Sequence, residues 1–236
     1  MNPDPPEAPP FNQADLAAYD AELQQGLALS GENKSYFAQG RLDWLASRMQ
    51  ALALPAPGRI LDYGCGGGDT TLLLAKRWPA ARVVGADPSE TLIAAARRAD
   101  RESSCEFHTL AAMPQNERFD LIYCNGVFHH IPVADQPGAL AWIRGRLAPA
   151  GLFSLWENNS WSPAARWVMR RIPFDRDAVM LSPARSRRLL QEAGFRVLGC
   201  DFLFFFPHGL RWARALEPRL RKIPLGAQYQ VLGRHA

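Results

Sequence analysis

A cluster of glycines directly follows a short hydrophobic run in residues 60–71, which read ILDYGCGGGDTT. Asp62 lies at the end of the run, and the cluster that follows it consists of Gly64, Gly66, Gly67 and Gly68. Glycine loses more backbone freedom on folding than any other residue, so such a cluster is costly where it is not needed. The cluster predicts a backbone that turns sharply after a strand and lies close to a ligand.

A second carboxylate, Asp87, ends the next hydrophobic run, in VVGADPS. A carboxylate at the end of the second strand of an α/β sheet can accept hydrogen bonds from both hydroxyls of a ribose. This position predicts a nucleoside site, with Pro88 and Ser89 near the nucleoside. The alternative interpretation is that Asp87 or Ser89 caps the following helix.

Two adjacent histidines follow the hydrophobic run of residues 119–132, FDLIYCNGVFHHIP, which also carries Asn125. A neutral imidazole can accept a proton near pH 7, so His130 or His129 is a candidate general base, with His130 favoured. The alternative interpretation is that one of the two histidines caps or packs a short helix before Pro132.

A further polar group ends the segment GLFSLWENN, which includes Glu157, Asn158 and Asn159. Side chains at the carboxyl end of such a strand lie over the crevice where open α/β sheets bind ligands. We expect Glu157 and Asn158 to bind an acceptor molecule. A turn with helix caps is an equally good interpretation of the same residues.

The elements that must position these residues alternate regularly along the chain. Helical periodicity is present in residues 13–29 and 34–53. The predicted strands span residues 59–64, 82–87, 105–110, 119–125, 151–157, 195–206 and 228–233. The predicted helices between them span residues 69–78, 89–101, 136–147 and 182–193. This alternation predicts a parallel α/β sheet with helices on both faces. The last strand is expected to be antiparallel, because it is preceded by an insertion, residues 207–226, in place of a crossover helix.

Length and composition predict one domain. The chain has 236 residues, of which 47% are hydrophobic, enough for a sizeable core. We expect the proline-rich residues 1–12 to be a disordered tail and residues 13–236 to be one domain, with residues 13–55 as a helical lid. The four cysteines lack metal-ligand spacing and predict reduced thiols in a cytoplasmic protein without a metal site. No uncharged apolar run approaches the length of a membrane-spanning helix.

Charge is distributed unevenly along the chain. Residues 1–150 carry 13 Lys or Arg and 17 Asp or Glu, whereas residues 151–236 carry 14 and 6. The basic C-terminal part is consistent with an anionic acceptor, a membrane surface, nucleic acid or a solvated arginine-rich surface. Residues 208–222, HGLRWARALEPRLRK, form a basic amphipathic stretch that could contact a membrane peripherally, cover the site or pack on the sheet. No RNA-binding module motif is visible, so we expect no nucleic-acid partner.

The pattern D-x-G-x-G-x-G between Asp62 and Gly68 resembles the first motif of class I S-adenosylmethionine-dependent methyltransferases. Dinucleotide-binding enzymes instead use G-x-G-x-x-G, and Asp69 stands where their third glycine would be. The resemblance covers residues 59–159 and implies a Rossmann-like, doubly wound, seven-stranded, mostly parallel sheet. It implies S-adenosylmethionine as the cofactor, with its methionine part beside the backbone of Gly64, Cys65 and Gly66.

The same resemblance implies further contacts with the cofactor. Asp62 would order its amino group or a water molecule, and Asn125 would lie near its sulfonium. Members of the family often carry an acid after the third strand, but this chain does not, so Thr109 or the backbone of Leu110 would contact the adenine. Tyr36 and Arg41 are candidates for binding the carboxylate of the cofactor, because arginine pairs with carboxylates in a bidentate way.

The predicted reaction is an in-line transfer of a methyl group to a small-molecule acceptor, at oxygen, with a histidine as base. The aromatic-rich surroundings of the site favour an apolar or lipid-linked acceptor. Two alternatives remain, an NAD(P)-dependent oxidoreductase and a module that binds S-adenosylmethionine without turnover.

Overall fold

The computed structural model describes residues 30–102, 104–169 and 179–235. The predicted disordered tail, residues 1–12, and the predicted first helix, residues 13–29, lie outside the described residues. The predicted lid, residues 13–55, is therefore described only from residue 30 onward.

The strands of the described residues form one seven-stranded sheet in the order β3-β2-β1-β4-β5-β7-β6. They are β1 (Arg59–Tyr63), β2 (Arg82–Asp87), β3 (Glu106–Thr109), β4 (Phe119–Asn125), β5 (Leu147–Asn158), β6 (Phe195–Leu203) and β7 (Gln228–His235). The first five strands pair in parallel, and β7 runs antiparallel to both β5 and β6. The predicted fold class, with its antiparallel last strand, is confirmed.

The α-helices of the described residues are α1 (Lys34–Ala51), α2 (Asp69–Arg77), α3 (Glu90–Ala99), α4 (Gln136–Gly145), α5 (Pro163–Met169), α6 (Pro183–Glu192) and α7 (Glu217–Leu220). The same residues include 3-10 helices at Leu110–Ala112 and His208–Leu216. Three of the α-helices begin at residues whose side chains accept a backbone N–H, namely Asn33, Ser89 and Ser182. Within the described residues, no helix is both long enough and apolar enough to cross a bilayer.

Helix α1 is a packed layer of the fold, because its apolar face is buried against the sheet. Leu42, Leu45 and Met49 share a buried cluster with Leu74 of α2 and with residues of β1, β4 and β5. The opposite face of the sheet packs against α4 and α6 in a second cluster. Both faces of the sheet are therefore covered, as a parallel sheet requires.

Strand β6 ends at Leu203, three residues before the predicted end. Phe204 has a φ of +63°, a left-handed conformation that interrupts the strand. The backbone N–H groups of Phe204, Phe205 and Phe206 then donate to the carboxylate of Glu217. The aromatic run that looks like a strand in the sequence is therefore held by α7 instead of by the sheet.

Candidate functional site

The glycine loop joins β1 to α2, and its glycines have different structural roles. Gly64, Gly66 and Gly68 all have positive φ angles, of 74°, 53° and 88°. A Cβ on Gly64 would lie 2.3 Å from Cγ2 of Val127, and one on Gly68 would lie 3.0 Å from the ring of Phe107. A Cβ on Gly66 would meet nothing within 4 Å. Gly64 and Gly68 are therefore required for packing, whereas Gly66 borders open space that a ligand can fill.

Asp87 holds the glycine loop from the end of the neighbouring strand β2. Its Oδ2 accepts the backbone N–H of Gly66 at 3.0 Å, and its Oδ1 accepts that of Ser89 at 2.9 Å. Burial raises the pKa of the Asp87 carboxyl, and these two N–H groups oppose that rise. Ser89 in turn caps α3 by accepting the N–H of Leu92. Each oxygen of Asp87 keeps a second acceptor position, so supporting the loop and binding a ribose are compatible roles.

Asp62 lies on the face of the sheet that α1 and α2 cover. It is 3% exposed, and its Oδ2 accepts a hydrogen bond of 2.7 Å from the Thr71 hydroxyl. The pKa of Asp62 is raised to about 7, chiefly by burial and to a smaller extent by the charge of Asp87. The Thr71 hydrogen bond and the charge of Arg41 act in the opposite direction. A cationic group of a ligand beside Asp62 would favour the charged carboxylate.

Arg41 links α1 to the carboxyl edge of the sheet. It is buried, its Nε donates to the Tyr123 hydroxyl at 3.1 Å, and its Nη1 donates to Oε1 of Gln228 at 3.0 Å. Nε2 of Gln228 donates to Oδ1 of Asn158. Arg41 and Asn158, two predicted site residues, thus belong to one hydrogen-bonded chain across β4, β7 and β5.

Tyr36 lies one turn before Arg41 in α1 and is half-buried. Its ring contacts the ring of Phe204, with centroids 5.9 Å apart, and the Arg214 guanidinium lies 4.5 Å from its centre. Burial raises the pKa of the Tyr36 hydroxyl. The Tyr36 ring therefore packs α1 against the segment that follows β6.

His129 and Glu157 form a buried pair between the ends of β4 and β5. Nδ1 of His129 lies 2.6 Å from Oε2 of Glu157, and Oε1 of Glu157 accepts the backbone N–H of Phe128 at 2.9 Å. Both side chains are buried, whereas His130 is exposed, although the two imidazole rings lie only 4.0 Å apart. The carboxylate therefore fixes both the turn that carries the histidines and the orientation of the His129 ring.

The remaining predicted cofactor residues lie in the glycine loop or at the carboxyl ends of β2, β3 and β4. Cys65 is buried against Gly85, where a Cβ would lie 3.0 Å from its sulfur, and Pro88 is half-buried. Thr109 begins the short 3-10 helix by accepting the N–H of Ala112, and Leu110 is buried beneath it. Asn125 ends β4 in register with Trp156 of β5.

Sequence reasoning did not identify three residues that shape this site, Thr71, Tyr123 and Gln228. Thr71 lies in the stretch 60–71 and Tyr123 in the stretch 119–132, but neither is a position that the patterns of those stretches single out. Tyr123 lies opposite Asp62 in the register of β1 and β4, so the strand order would have been needed to find it. Asn159, in contrast, has a structural role, because its amide donates to the carbonyls of Pro224 and Gly226.

The loop, the two carboxylates, Asn125 and the His129–Glu157 pair lie at the carboxyl ends of adjacent strands. This arrangement fits S-adenosylmethionine, since Gly66 borders free space and Asp62 and Asp87 flank it. A family model described as a methyltransferase domain matches residues 36–199 of the chain. The chain belongs to this methyltransferase family. The predicted membership of the class I superfamily, with its cofactor S-adenosylmethionine, is confirmed.

Proteins with related sequences carry more specific names. The chain is 27% identical to a trans-aconitate 2-methyltransferase of Methylobacterium nodulans over 218 residues. This alignment covers 84% of each protein. The chain is 34% identical to a trans-aconitate 2-methyltransferase of Variovorax paradoxus over 120 residues. This alignment covers 50% of this chain and 46% of the relative. The chain thus spans about half the length of the Variovorax relative.

Solved structures share the fold of this methyltransferase. Magnesium protoporphyrin IX methyltransferase from Synechocystis PCC 6803, crystallised with bound SAH, superposes with a TM-score of 0.64 over 96% of each chain. The sequence identity of that pair is 17%, so the likeness concerns the fold alone.

Proposed function

We propose that this methyltransferase transfers a methyl group from S-adenosylmethionine to an oxygen atom of a small-molecule acceptor. The observation that carries the proposal is the buried His129–Glu157 pair beside a glycine loop that borders open space at Gly66. The pair and the loop lie at the carboxyl ends of adjacent strands, where open α/β sheets bind their ligands.

The residues around the glycine loop would hold the cofactor. Asp87 would accept hydrogen bonds from the ribose hydroxyls, and Asp62 would bind the amino group. Arg41 is already positioned by Tyr123 and would contribute its positive charge toward the carboxylate end. When bound, S-adenosylmethionine supplies a methyl group on a positively charged sulfur, which is a good leaving group.

The chain must orient the acceptor and, for some acceptors, take a proton from it. If the acceptor atom is a hydroxyl, a base must remove its proton during transfer. Glu157 stabilises the imidazolium that would form at His129, so the geometry favours His129 over His130 as that base. The buried surroundings of the pair would exclude water from the reacting oxygen.

A carboxylate acceptor is the second candidate, favoured by the names of the curated relatives. A carboxylate is ionised near pH 7 and needs no base. The two acceptor classes therefore differ in how strongly they depend on His129. A hydroxyl acceptor predicts that His129→Gln lowers kcat by about 100-fold or more, and a carboxylate acceptor predicts a much smaller loss.

The first experiment is calorimetry with S-adenosylhomocysteine, with NAD titrated in parallel. We expect binding on the order of micromolar for S-adenosylhomocysteine and none for NAD, and loss of binding in Asp87→Ala. A screen with labelled methyl donor, using hydroxyl compounds and trans-aconitate as acceptors, then tests transfer. Binding of NAD in place of S-adenosylhomocysteine would refute the cofactor assignment, and binding without any transfer would favour a module that has lost turnover.

A further inference from the structure

The connection between β6 and β7 exposes an unusual number of large apolar side chains. Trp212 is 77% exposed on the 3-10 helix His208–Leu216. Four other large apolar residues of the same connection are more than two-fifths exposed, namely Leu210, Leu216, Ile223 and Leu225. An exposed apolar patch of this kind indicates an interaction surface.

The same connection is strongly basic at its surface. Residues 208–225 contain five Lys or Arg and one acidic residue, Glu217. The Glu217 carboxylate is occupied by three backbone N–H groups at the end of β6. Arg211 and Arg219 are exposed next to the apolar side chains. The surface therefore combines aromatic, aliphatic and cationic groups, whereas the carboxylate of Glu217 is bound to the protein's own backbone.

The connection is firmly attached beside the site. It begins after Leu203 and ends at Gln228, two residues that pair at the carboxyl edge of the sheet. Arg214 binds Glu32 at 2.8 Å, and the backbone N–H of His208 donates to the carbonyl of Ser30. The exposed side chains are thus carried by a fixed scaffold at the edge of the sheet that also holds the glycine loop.

We propose that residues 208–225 dock this methyltransferase on the surface of an anionic lipid bilayer. Tryptophan and leucine side chains at such a surface lie among the headgroups, where tryptophan is enriched. Arginines beside them are attracted by the negative lipid charge. Charge complementarity favours this occupant, because the patch offers exposed cations with no exposed carboxylate of its own. Docking is peripheral, and it would present the carboxyl edge of the sheet to the membrane.

Sedimentation of the full chain with vesicles tests the proposal. We expect the chain to sediment with vesicles containing phosphatidylglycerol, to do so less at high salt, and to remain in solution with pure phosphatidylcholine. Reversing both exposed arginines, in Arg211→Glu/Arg219→Glu, should lower the partition coefficient at least tenfold, since each basic residue near such a surface contributes about fivefold. Trp212→Ser should also lower it. Arg98→Glu/Arg101→Glu reverses two exposed arginines at the C-terminal end of α3 and just after it, so it is the charge-matched control and should change the partition coefficient little.

The outcomes separate clearly. Absence of sedimentation with anionic vesicles, equal sedimentation with both kinds of vesicle, or equal losses in the patch and control variants would overturn the proposal. Binding to an RNA oligonucleotide without binding to vesicles would overturn it as well. The assay needs neither cofactor nor acceptor, so its result is independent of the proposed reaction. Thermal melts of each variant distinguish lost docking from lost folding.

Discussion

Asp62 provides a quantitative test of the site, because its carboxyl group is almost completely buried. Burial raises its pKa from 3.8 to about 7. The unfolded chain loses the Asp62 proton near pH 4, whereas the folded chain keeps it until about pH 7. In this window the folded state binds the extra proton, so the free energy of unfolding falls as the pH rises. A rise of about three pKa units corresponds to about 4 kcal/mol.

The perturbation that isolates this effect is Asp62→Asn, which has nearly the same shape and stays neutral. Urea unfolding of both proteins, followed by tryptophan fluorescence, gives the free energy of unfolding at pH 5 and pH 8. Because the other titrating groups are shared, they cancel when the pH difference of the variant is subtracted from that of the wild type. Between pH 5 and pH 8 only about two of the three pKa units are titrated, so we expect the wild type to lose about 2–3 kcal/mol more than the variant.

Equal pH differences in the two proteins would refute the reasoning. Asp43→Asn, which removes an exposed carboxylate of α1, controls for the change in net charge. A second readout connects the result to the cofactor. A ligand ammonium beside Asp62 favours the charged carboxylate, so the affinity for S-adenosylhomocysteine should rise between pH 6 and pH 8 in the wild type and stay flat in Asp62→Asn.

Three further substitutions test other parts of the site. Gly66→Ala should weaken S-adenosylhomocysteine binding about tenfold or more in calorimetry but lower the free energy of unfolding by only about 1–2 kcal/mol. Gly64→Ala, whose Cβ would lie 2.3 Å from a valine methyl, should lower the melting temperature far more than Gly66→Ala does. The reverse order of stability losses would contradict the assigned roles. Arg41→Ala should lower the free energy of unfolding in urea by about 2–3 kcal/mol, because it breaks one buried and one partly buried side-chain hydrogen bond. An unchanged midpoint would show that these bonds contribute nothing. Glu157→Gln should lower kcat about tenfold or more with little change in KM and should alter the pH profile, if its carboxylate orients His129 for proton transfer; equal changes in kcat and KM would indicate a purely structural role.

The parts of the fold and site that could be predicted from the sequence are those encoded in short contiguous stretches. The glycine loop and the carboxylates Asp62 and Asp87 lie next to the strands that carry them. Because parallel strands end at one edge of a sheet, the alternation of strands and helices was sufficient to bring these residues together. The antiparallel β7 also followed from a local feature, the absence of a crossover helix before it.

The contacts that could not be predicted join residues far apart in the chain. Arg41 and Tyr123 are separated by 82 residues, and they meet only because α1 packs over the face of β4. Arg41 is a candidate partner of the cofactor from its sequence position alone, but no pattern indicates that Tyr123 and Gln228 hold it. Likewise, the aromatic run after Leu203 has the composition of a strand, and only the position of Glu217 ends it there.

Glu157 and Asn159 show why the acceptor side of the site is harder to infer than the cofactor side. Glu157 lies near the end of β5 and Asn159 directly follows the strand, and both are buried polar residues, so the sequence does not distinguish them. Glu157 accepts a backbone N–H of the turn that carries His129, whereas the Asn159 amide donates to a carbonyl just before β7. That division depends on β5 lying between β4 and the antiparallel β7. On the proposed assignment, cofactor recognition would rest on one loop and two carboxylates that short stretches of sequence reveal, whereas acceptor recognition would depend on which strands lie next to each strand end.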